Sequence, residues 1–331
     1  MLEKIEILDF TLESQIKVPK INLTYQVFGK PIGSAPVVVV NHALTGNSNV
    51  SGPNGWWSQI IGGNKTIDTE IFTVLAFNIP GNGFDGEAQN LIHNYKNFSA
   101  KDVSKIFWNG ITQLGIDELF VLIGGSLGGG IAWEMAALQP NRIQHLIPIA
   151  THWKASNWVV GNVLVQDQIL NNSQNPIEDA RLHAMLLYRT PKSINQKFAG
   201  NEALSTSLFP IENWLLHHGV KLKKRFSLPA YKLMNHLLKT IDITRDSNNI
   251  ESEIVSISSA IHLISVDTDF LFTAAETQET FNRIKVLKPN VHHYQINSVH
   301  GHDAFLIEHE QLSAILKPIF QTQNQLNHVS V

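Results

Sequence analysis

The sequence predicts an α/β fold with a mostly parallel central sheet and helices on both faces. Short apolar runs rich in β-branched residues alternate with stretches of helical periodicity as far as about residue 150. This alternation is typical of parallel strands joined by right-handed helical crossovers. The run Val37–Val40 has no polar member, as expected for a strand that is buried on both faces of a parallel sheet.

The first 150 residues carry most of the predicted strands. Apolar runs and alternating patterns predict β-structure at 5–10, 15–18, 22–28, 37–40, 72–77, 119–123 and 145–149. Helices are predicted at 99–114 and 131–138. Ser99 is suited to be the N-cap of the first helix, because its hydroxyl can accept a hydrogen bond from a backbone N–H.

From residue 152 to residue 258 the pattern changes from sheet to helix. Helical periodicity is found at 158–170, 177–188, 211–218 and 229–241. We interpret this stretch as a helical lid inserted over the active edge of the sheet; the alternative is a set of further helices packed on the sheet. Strands return at 260–266 and 291–296, with helices at 276–287 and 304–320. The expected division is a core in 1–151 and 259–331, with the lid in 152–258.

Composition excludes several classes of function. The net charge is −3 with no basic patch, so we expect no nucleic-acid partner. The chain has no cysteine, which excludes disulfides, thiolate metal sites and a cysteine nucleophile. Neither a signal peptide nor an uncharged apolar stretch of about 18 residues is found, so we expect a soluble, cytoplasmic protein with no membrane partner.

The segment 119–130 carries most of the functional information. An apolar run is followed by Gly124-Gly-Ser126-Leu-Gly128, which fits G-x-S-x-G, and then by a helix-forming stretch. A strand, a tight glycine turn with serine at its apex and a helix are the setting of a nucleophile elbow. The alternatives are an ordinary glycine-rich turn and a phosphate-binding loop, and the second is disfavoured because no G-K-[ST] follows.

A serine nucleophile needs a base and a carboxylate that orients the base. In the α/β-hydrolase arrangement these follow in the chain order Ser, Asp or Glu, His, each at the carboxyl end of a strand. Asp267 and Asp269 follow one predicted strand, and His300 and His302 follow the next. The pattern itself leaves both choices open. A metal site at the two histidines is disfavoured, because no third ligand of suitable spacing stands out.

An acyl-transfer site also needs donors for the oxyanion of the tetrahedral intermediate. In this arrangement one donor is the backbone N–H after the nucleophile, here that of Leu127. The second comes from the loop after an early strand, and Leu44 in the segment 41–46 is our choice. We expect Asn41 and His42 to shape this loop rather than to take part in the reaction.

Six segments in consistent order resemble the homoserine O-acetyltransferase family of α/β-hydrolase-fold acyltransferases. The resemblance extends from about residue 40 to residue 310. Its segments are Asn41-His-Ala-Leu-Thr-Gly46, Gly55-Trp-Trp57 leading to Ile67-Asp-Thr69, Gly124-Gly-Ser-Leu-Gly-Gly129, Ile147-Pro-Ile-Ala150, Asp267-Thr-Asp-Phe-Leu-Phe272 and Gly301-His-Asp-Ala-Phe-Leu306.

The resemblance implies roles for particular residues. It selects Asp269 and His302 as the partners of Ser126. It also implies that Arg181, Tyr188 and Asp303 bind the amino-acid acceptor, with Arg181 at the carboxylate and Asp303 at the ammonium group. The alternatives are a surface salt bridge for Arg181 and a helix N-cap for Asp303. Seven residues are about two helical turns, so the arginine and the tyrosine are expected to share a helix face.

The implied activity is transfer of an acetyl group from acetyl-CoA to L-homoserine through an acyl-serine intermediate, a step of methionine biosynthesis. Acetyl-CoA would be a co-substrate, with no permanently bound cofactor and no metal, and the family suggests a homodimer formed through the lid. The alternatives are a serine esterase with the same triad, a succinyl donor, serine as acceptor, and a binding protein without activity. The segment 78–86 departs from the glycine-rich segment with Cys-Lys-Gly-Ser that the family usually has there.

Overall fold

The fold is organised around one large sheet. The computed structural model describes residues 1–200 and 208–328. Its strands are β1 (Glu3–Thr11), β2 (Lys17–Gly29), β3 (Val37–Asn41), β4 (Ile61–Gly62), β5 (Ile67–Asp68), β6 (Thr73–Phe77), β7 (Leu119–Gly125), β8 (Ile143–Ile149), β9 (Ala260–Val266) and β10 (Val291–Ile296). Within the described residues, eight strands form one sheet in the order β1-β2-β6-β3-β7-β8-β9-β10, and β4 and β5 form a separate pair.

The sheet is parallel from β6 to β10, and antiparallel only where β2 pairs with β1 and with β6. The carboxyl ends of the parallel strands therefore meet at one edge, where ligands bind in open α/β sheets. In this register Gly124 of β7 lies beside Asn41 of β3, and Gly125 lies beside Ile149 of β8. The predicted α/β fold with a mostly parallel sheet is confirmed.

Two apolar layers, one on each face, bury the central strands. Successive side chains of a strand point to opposite faces. In β7, Leu122 packs into one layer, whereas Val121 and Ile123 pack into the other. This is why the central strands are continuous apolar runs: both of their faces are covered by helices.

The predicted segments 15–18 and 22–28 are one strand, β2. The sequence pattern breaks at Pro19, but the structure carries the strand across it. The pairs Leu8–Lys20 and Phe10–Val18 flank an interruption of the ladder at Asp9, which has a φ of 51°. The register is the same on both sides of this interruption, and Pro19, which has no N–H to donate, lies opposite Asp9 where the ladder is broken.

The helices are α1 (Ala100–Gln113), α2 (Leu127–Leu138), α3 (Asn157–Asn172), α4 (Pro176–Tyr188), α5 (Pro191–Phe198), α6 (Pro210–Lys223), α7 (Leu228–Leu238), α8 (Ile250–Ser256), α9 (Ala274–Ile284) and α10 (His309–His328). Ser99 is the N-cap of α1, as predicted. The sequence analysis did not predict α5 and α8. Helix α5 begins at Pro191, because proline is well suited to the first position of a helix.

Residues 304–320 were predicted as one helix, and the structure divides this stretch. A 3₁₀ helix spans Gly301–Leu306, and α10 begins at His309. Gly301 has a φ of 68°, a conformation that glycine adopts without strain. This helix follows the loop at the carboxyl end of β10 and carries His302 in its first turn.

Helices α3 to α8 lie between β8 and β9 in the chain, where the lid was expected. Among them α4 packs against α6 and α3, and α7 packs against α3. Within the described residues, no helix is both long enough and apolar enough to span a lipid bilayer.

Candidate active site

Ser126 lies at the turn between β7 and α2 in a strained backbone conformation. Its φ is 55° and its ψ is −125°, a combination that L residues rarely adopt. The flanking glycines permit the turn, because a Cβ on Gly124 would lie 2.4 Å from the carbonyl oxygen of Gly128. The serine occupies the N-cap position of α2, but its side chain caps no backbone N–H. Its hydroxyl is therefore available for another partner.

That partner is His302. The Nε2 atom of His302 lies 2.9 Å from Oγ of Ser126, and its Nδ1 lies 2.7 Å from Oδ2 of Asp269. The other carboxylate oxygen of Asp269 accepts the backbone N–H groups of Leu271 and Phe272, at 2.7 and 3.0 Å. At most 5% of each of the three interacting residues is exposed. The carboxylate is thus fixed from its own loop and can hold the imidazole in one tautomer.

Two opposing effects set the pKa of His302. Burial acts to lower it, but the charge of Asp269 and its hydrogen bond, with a smaller contribution from Asp303, raise the pKa above the ordinary value of 6.5. The rings of Tyr188, Phe272 and Phe305 surround the imidazole, with centroids 5.4 to 5.8 Å away. This environment favours a base that can hold a proton during the reaction.

Asp267 and His300, the alternatives to Asp269 and His302 in the sequence, have other partners. Oδ1 of Asp267 accepts the backbone N–H of Ser298 at 2.9 Å, which ties the loops after β9 and β10 together. Nδ1 of His300 lies 2.8 Å from Oγ of Ser193 on α5. Neither belongs to the hydrogen-bond chain that starts at Ser126. The described residues contain no group of three or more potential metal ligands.

The two predicted oxyanion donors, the N–H groups of Leu44 and Leu127, belong to the loop after β3 and the first turn of α2, whose backbones lie close together. A Cβ on Gly128 would lie 2.4 Å from the carbonyl oxygen of Asn41, so the exit loop of β3 rests against the first turn of α2. In the described parts of the chain, no hydrogen bond uses the N–H of Leu44 or that of Leu127. Both amides can therefore donate to a ligand.

Arg181 and Tyr188 share one face of α4, as expected from their spacing. The guanidinium carbon of Arg181 lies 6.0 Å from the centroid of the Tyr188 ring, and that ring lies 5.4 Å from the imidazole of His302. Burial raises the pKa of Tyr188 to about 12, so its hydroxyl stays protonated. Arg181 forms no ion pair within the described residues, so the salt-bridge alternative does not hold there.

Asp303 lies in the first turn of the 3₁₀ helix and forms an ion pair. Its Oδ2 accepts from Nε of Arg189 at 2.9 Å, and both side chains are largely buried. The N-cap of that helix is His300, so the N-cap alternative for Asp303 is wrong. Arg189 was not predicted as a functional residue, because nothing in the sequence links it to Asp303, which lies 114 positions further along the chain.

A small cavity lies beside Tyr188, whose ring contacts the imidazole of His302. Its lining includes Leu44, Leu271, Tyr188 and Tyr231, and the buried residues Gln166 and Asn235. Four further clefts on the described surface are lined by none of Ser126, Asp269 and His302. Arg225, which follows α6, is a further residue that sequence analysis missed: its Nη1 donates to the carbonyl oxygen of Thr45 at 2.7 Å.

Comparison with known proteins supports the same reading. Residues 36–178 match the model of the alpha/beta hydrolase fold. The homoserine O-acetyltransferase of Cyclobacterium marinum is 30% identical over 95% of this chain and 93% of its own length, and that of Carboxydothermus hydrogenoformans is 24% identical over the same shares. Among solved structures, homoserine O-acetyltransferase from Bacillus anthracis superposes with a TM-score of 0.86 at 16% identity, with 97% of each chain covered. Esterase E22 superposes with a TM-score of 0.87 at 17% identity, covering 97% of this chain and 100% of its own.

The structural likenesses show the fold alone, since acetyltransferases and esterases superpose equally well. Together with the sheet order and the serine turn, they define a protein of the α/β-hydrolase class. Within that class, similarity of sequence identifies the family. The chain belongs to the homoserine O-acetyltransferase family.

The raised pKa of His302 predicts a pH dependence. The imidazole must be neutral to accept the serine proton, so the rate of Ser126 acetylation by p-nitrophenyl acetate should rise with pH through a midpoint above 6.5. In Asp269→Asn only the smaller contribution of Asp303 still opposes the lowering effect of burial, so the midpoint should fall and the rate should drop by about 10⁴-fold. Stopped-flow absorbance at high enzyme concentration measures both.

Asp267→Asn is the matched control, because this carboxylate contacts Ser298 and not the imidazole. It should leave the midpoint where the unmodified protein has it. A midpoint that moves with Asp267 and not with Asp269 would reverse the assignment of the two aspartates.

Proposed function

We propose that this protein transfers an acetyl group to the hydroxyl of L-homoserine. The proposal depends on one observation made on two levels. The chain is 30% identical to a homoserine O-acetyltransferase along nearly its whole length. In the same chain Ser126, His302 and Asp269 lie at hydrogen-bond distances from one another. The similarity supports the type of reaction, and the distances support Ser126 as the nucleophile and His302 as its base.

In the first half of the proposed reaction, Nε2 of His302 takes the proton from Oγ of Ser126 as the oxygen attacks the thioester carbonyl of acetyl-CoA. The N–H groups of Leu44 and Leu127 would stabilise the oxyanion of the tetrahedral intermediate. When the intermediate collapses, the C–S bond breaks and the thiol leaves with the proton from His302. The acetyl group is then held as an ester of Ser126.

In the second half, the homoserine hydroxyl gives its proton to His302 and attacks the acetyl-serine ester. As the second tetrahedral intermediate collapses, the bond between the acetyl carbon and Oγ of Ser126 breaks and His302 returns the proton to that oxygen. The product is O-acetyl-L-homoserine, a step toward methionine. Acetyl-CoA enters as a co-substrate and leaves as CoA in this scheme, and no resident cofactor takes part. We place the reaction in the cytoplasm.

The lid, residues 152–258, would supply the groups that select an amino acid over water. Arg181 has no acidic partner in the described residues, so its guanidinium can form a bidentate pair with the acceptor carboxylate. Tyr188 lies between Arg181 and His302 and would contact the acceptor there. Oδ2 of Asp303 is held by Arg189, which leaves Oδ1 for the acceptor ammonium group.

Release of free thiol from acetyl-CoA, followed with a thiol reagent, tests the proposed function. We expect continued thiol release, beyond the one equivalent per enzyme that accompanies acetylation of Ser126, to need L-homoserine. When homoserine is omitted, an acetylated peptide containing Ser126 should be detected by mass spectrometry. Ser126→Ala should release no thiol, because the attacking oxygen is gone while the fold remains.

Equal thiol release without homoserine would identify a hydrolase instead. Turnover of succinyl-CoA only, or of serine only, would correct the donor or the acceptor. Unchanged turnover by Ser126→Ala would sink the acyl-enzyme mechanism, and no turnover of any donor by the unmodified protein would favour a binding protein.

Replacing Arg181 tests how the acceptor is bound. Arg181→Ala should raise the KM for homoserine by about 10- to 100-fold, the usual range for a lost hydrogen bond to a charged group. Acetylation of Ser126 in the absence of homoserine reports on the first half-reaction separately. Lys221→Ala on the neighbouring α6 is the control and should leave the KM for homoserine unchanged. If both variants behave alike, the carboxylate binds elsewhere.

We also propose that two copies associate through the lid. Large apolar side chains are exposed on its outer helices: Trp158, Leu164 and Val165 on α3, and Leu216 and Val220 on α6. Such a group of exposed apolar side chains is typical of a contact surface. Light scattering should give twice the 37.0 kDa of one chain.

Leu164→Asp should reduce that mass to the value for one chain, because it buries a carboxylate in the contact. Val286→Asp is the matched control, since Val286 is 75% exposed and lies outside the lid, after α9. A single-chain mass for the unmodified protein would refute the dimer.

A further inference from the structure

The turn that carries Leu44 is held by a buried histidine that no proposed step uses. Residues 43–46 form a tight turn, in which the N–H of Gly46 donates to the carbonyl oxygen of Ala43 at 2.8 Å. His42 precedes the turn and is 1% exposed. Its Nδ1 lies 2.8 Å from the same carbonyl oxygen of Ala43. That oxygen therefore has two partners, one from the turn and one from the imidazole.

The other side of the ring fixes the tautomer of His42. Its Nε2 accepts the backbone N–H of Ile79 at 3.0 Å, and Nδ2 of Asn82 lies 3.4 Å from the same atom. An atom that accepts from a backbone amide carries no proton, so the proton is on Nδ1. His42 therefore donates from Nδ1 to the carbonyl oxygen of Ala43.

The Ala43 carbonyl and the Leu44 N–H belong to the same planar peptide unit. Fixing the oxygen of that unit fixes the direction in which its N–H points. A hydrogen bond accepted at the carbonyl also polarises the amide and strengthens its N–H as a donor. We propose that His42 is a positioning residue that aims the Leu44 N–H at the oxyanion, acting through the Ala43 carbonyl. This rests on the proposed role of Leu44 as an oxyanion donor.

The inference also gives a function to the segment 78–86, whose sequence departs from the family pattern. This segment supplies Ile79 and Asn82, the two groups that hold Nε2 of His42. Burial lowers the pKa of His42 to about 4, so the ring stays neutral and keeps this arrangement at neutral pH. The loop that differs from the family would thus act on the oxyanion peptide through one imidazole.

Two substitutions separate this role from simple support of the loop. In His42→Asn the side-chain amide can take the place of Nδ1 and donate to Ala43, but it cannot reach Ile79. In His42→Gln the side-chain carbonyl can take the place of Nε2 and accept from Ile79, but the donor to Ala43 is lost. His42→Leu removes both contacts.

The readout is the inhibition constant of a small methyl trifluoromethyl ketone. Oγ of Ser126 adds to its carbonyl carbon, the proton passes to His302, and the carbonyl electron pair becomes an oxyanion that the backbone donors stabilise. An inhibition constant is independent of the fraction of correctly folded protein, which changes only the maximal rate. A merely structural role would therefore leave it unchanged.

We expect the ketone to bind His42→Asn almost as tightly as the unmodified protein. Binding should weaken by about 10- to 100-fold in His42→Gln and His42→Leu, less than the 10²- to 10³-fold effect of deleting an oxyanion donor. The values of kcat/KM for p-nitrophenyl acetate should fall in parallel, because the ketone mimics the transition state. His262→Leu, which replaces another buried histidine far from Ser126 at the amino-terminal half of β9, controls for lost stability and should bind the ketone normally.

Equal inhibition constants in all His42 variants would overturn the inference, and so would tighter binding in His42→Gln than in His42→Asn. The ketone needs neither CoA nor homoserine, so the result does not depend on which acceptor the protein uses. If the ketone bound the unmodified protein and Ser126→Ala equally well, the proposed nucleophile would fail instead.

Discussion

The site depends on the backbone contact between the exit loop of β3 and the first turn of α2. At Gly128 there is no room for a side chain, because a Cβ would lie 2.4 Å from the carbonyl oxygen of Asn41 and 2.7 Å from that of His42. This approach brings the strained serine turn, the Leu127 N–H and the Leu44 turn into one small volume. His302, which lies far along the chain, reaches the same place because β10 ends at this edge of the parallel sheet.

Burial of this site creates an electrostatic problem that local hydrogen bonds solve. Desolvation alone would lower the pKa of His302, as it does for His42, and the ring would then hold a proton poorly. Asp269 reverses the direction at His302, and its own charge is stabilised by two backbone N–H groups. Among the described residues no carboxylate acts on His42, and its ring stays neutral. The two buried histidines are thus suited to different tasks by their different neighbours.

The sequence predicted the central strands and the elbow because local patterns determine them. The alternatives Asp267 or Asp269 and His300 or His302 could not be resolved from the pattern, since residues two apart follow the same strand equally well. Resemblance chose between them, and only the structure shows that Asp267 contacts Ser298 while Asp269 contacts His302. Partners such as Arg189 with Asp303, 114 positions apart, leave no trace in a single sequence. Helix α5, which begins at Pro191, was not predicted because proline can both end and begin a helix.

The difference between making and cleaving an ester must lie outside the triad. Acetyltransferases and esterases share this fold at nearly equal TM-scores, so the sheet and the elbow do not discriminate between acceptors. An acyl-enzyme reacts with whichever hydroxyl is held in line with His302, and water is always present. The lid therefore has to hold an acceptor by groups that water cannot satisfy. Arg181, a cation without an acidic partner in the described residues, is such a group, and Tyr188 lies between it and the imidazole. We therefore propose that selection of the acceptor depends on α4 together with Asp303, while the triad at the sheet edge performs the chemistry.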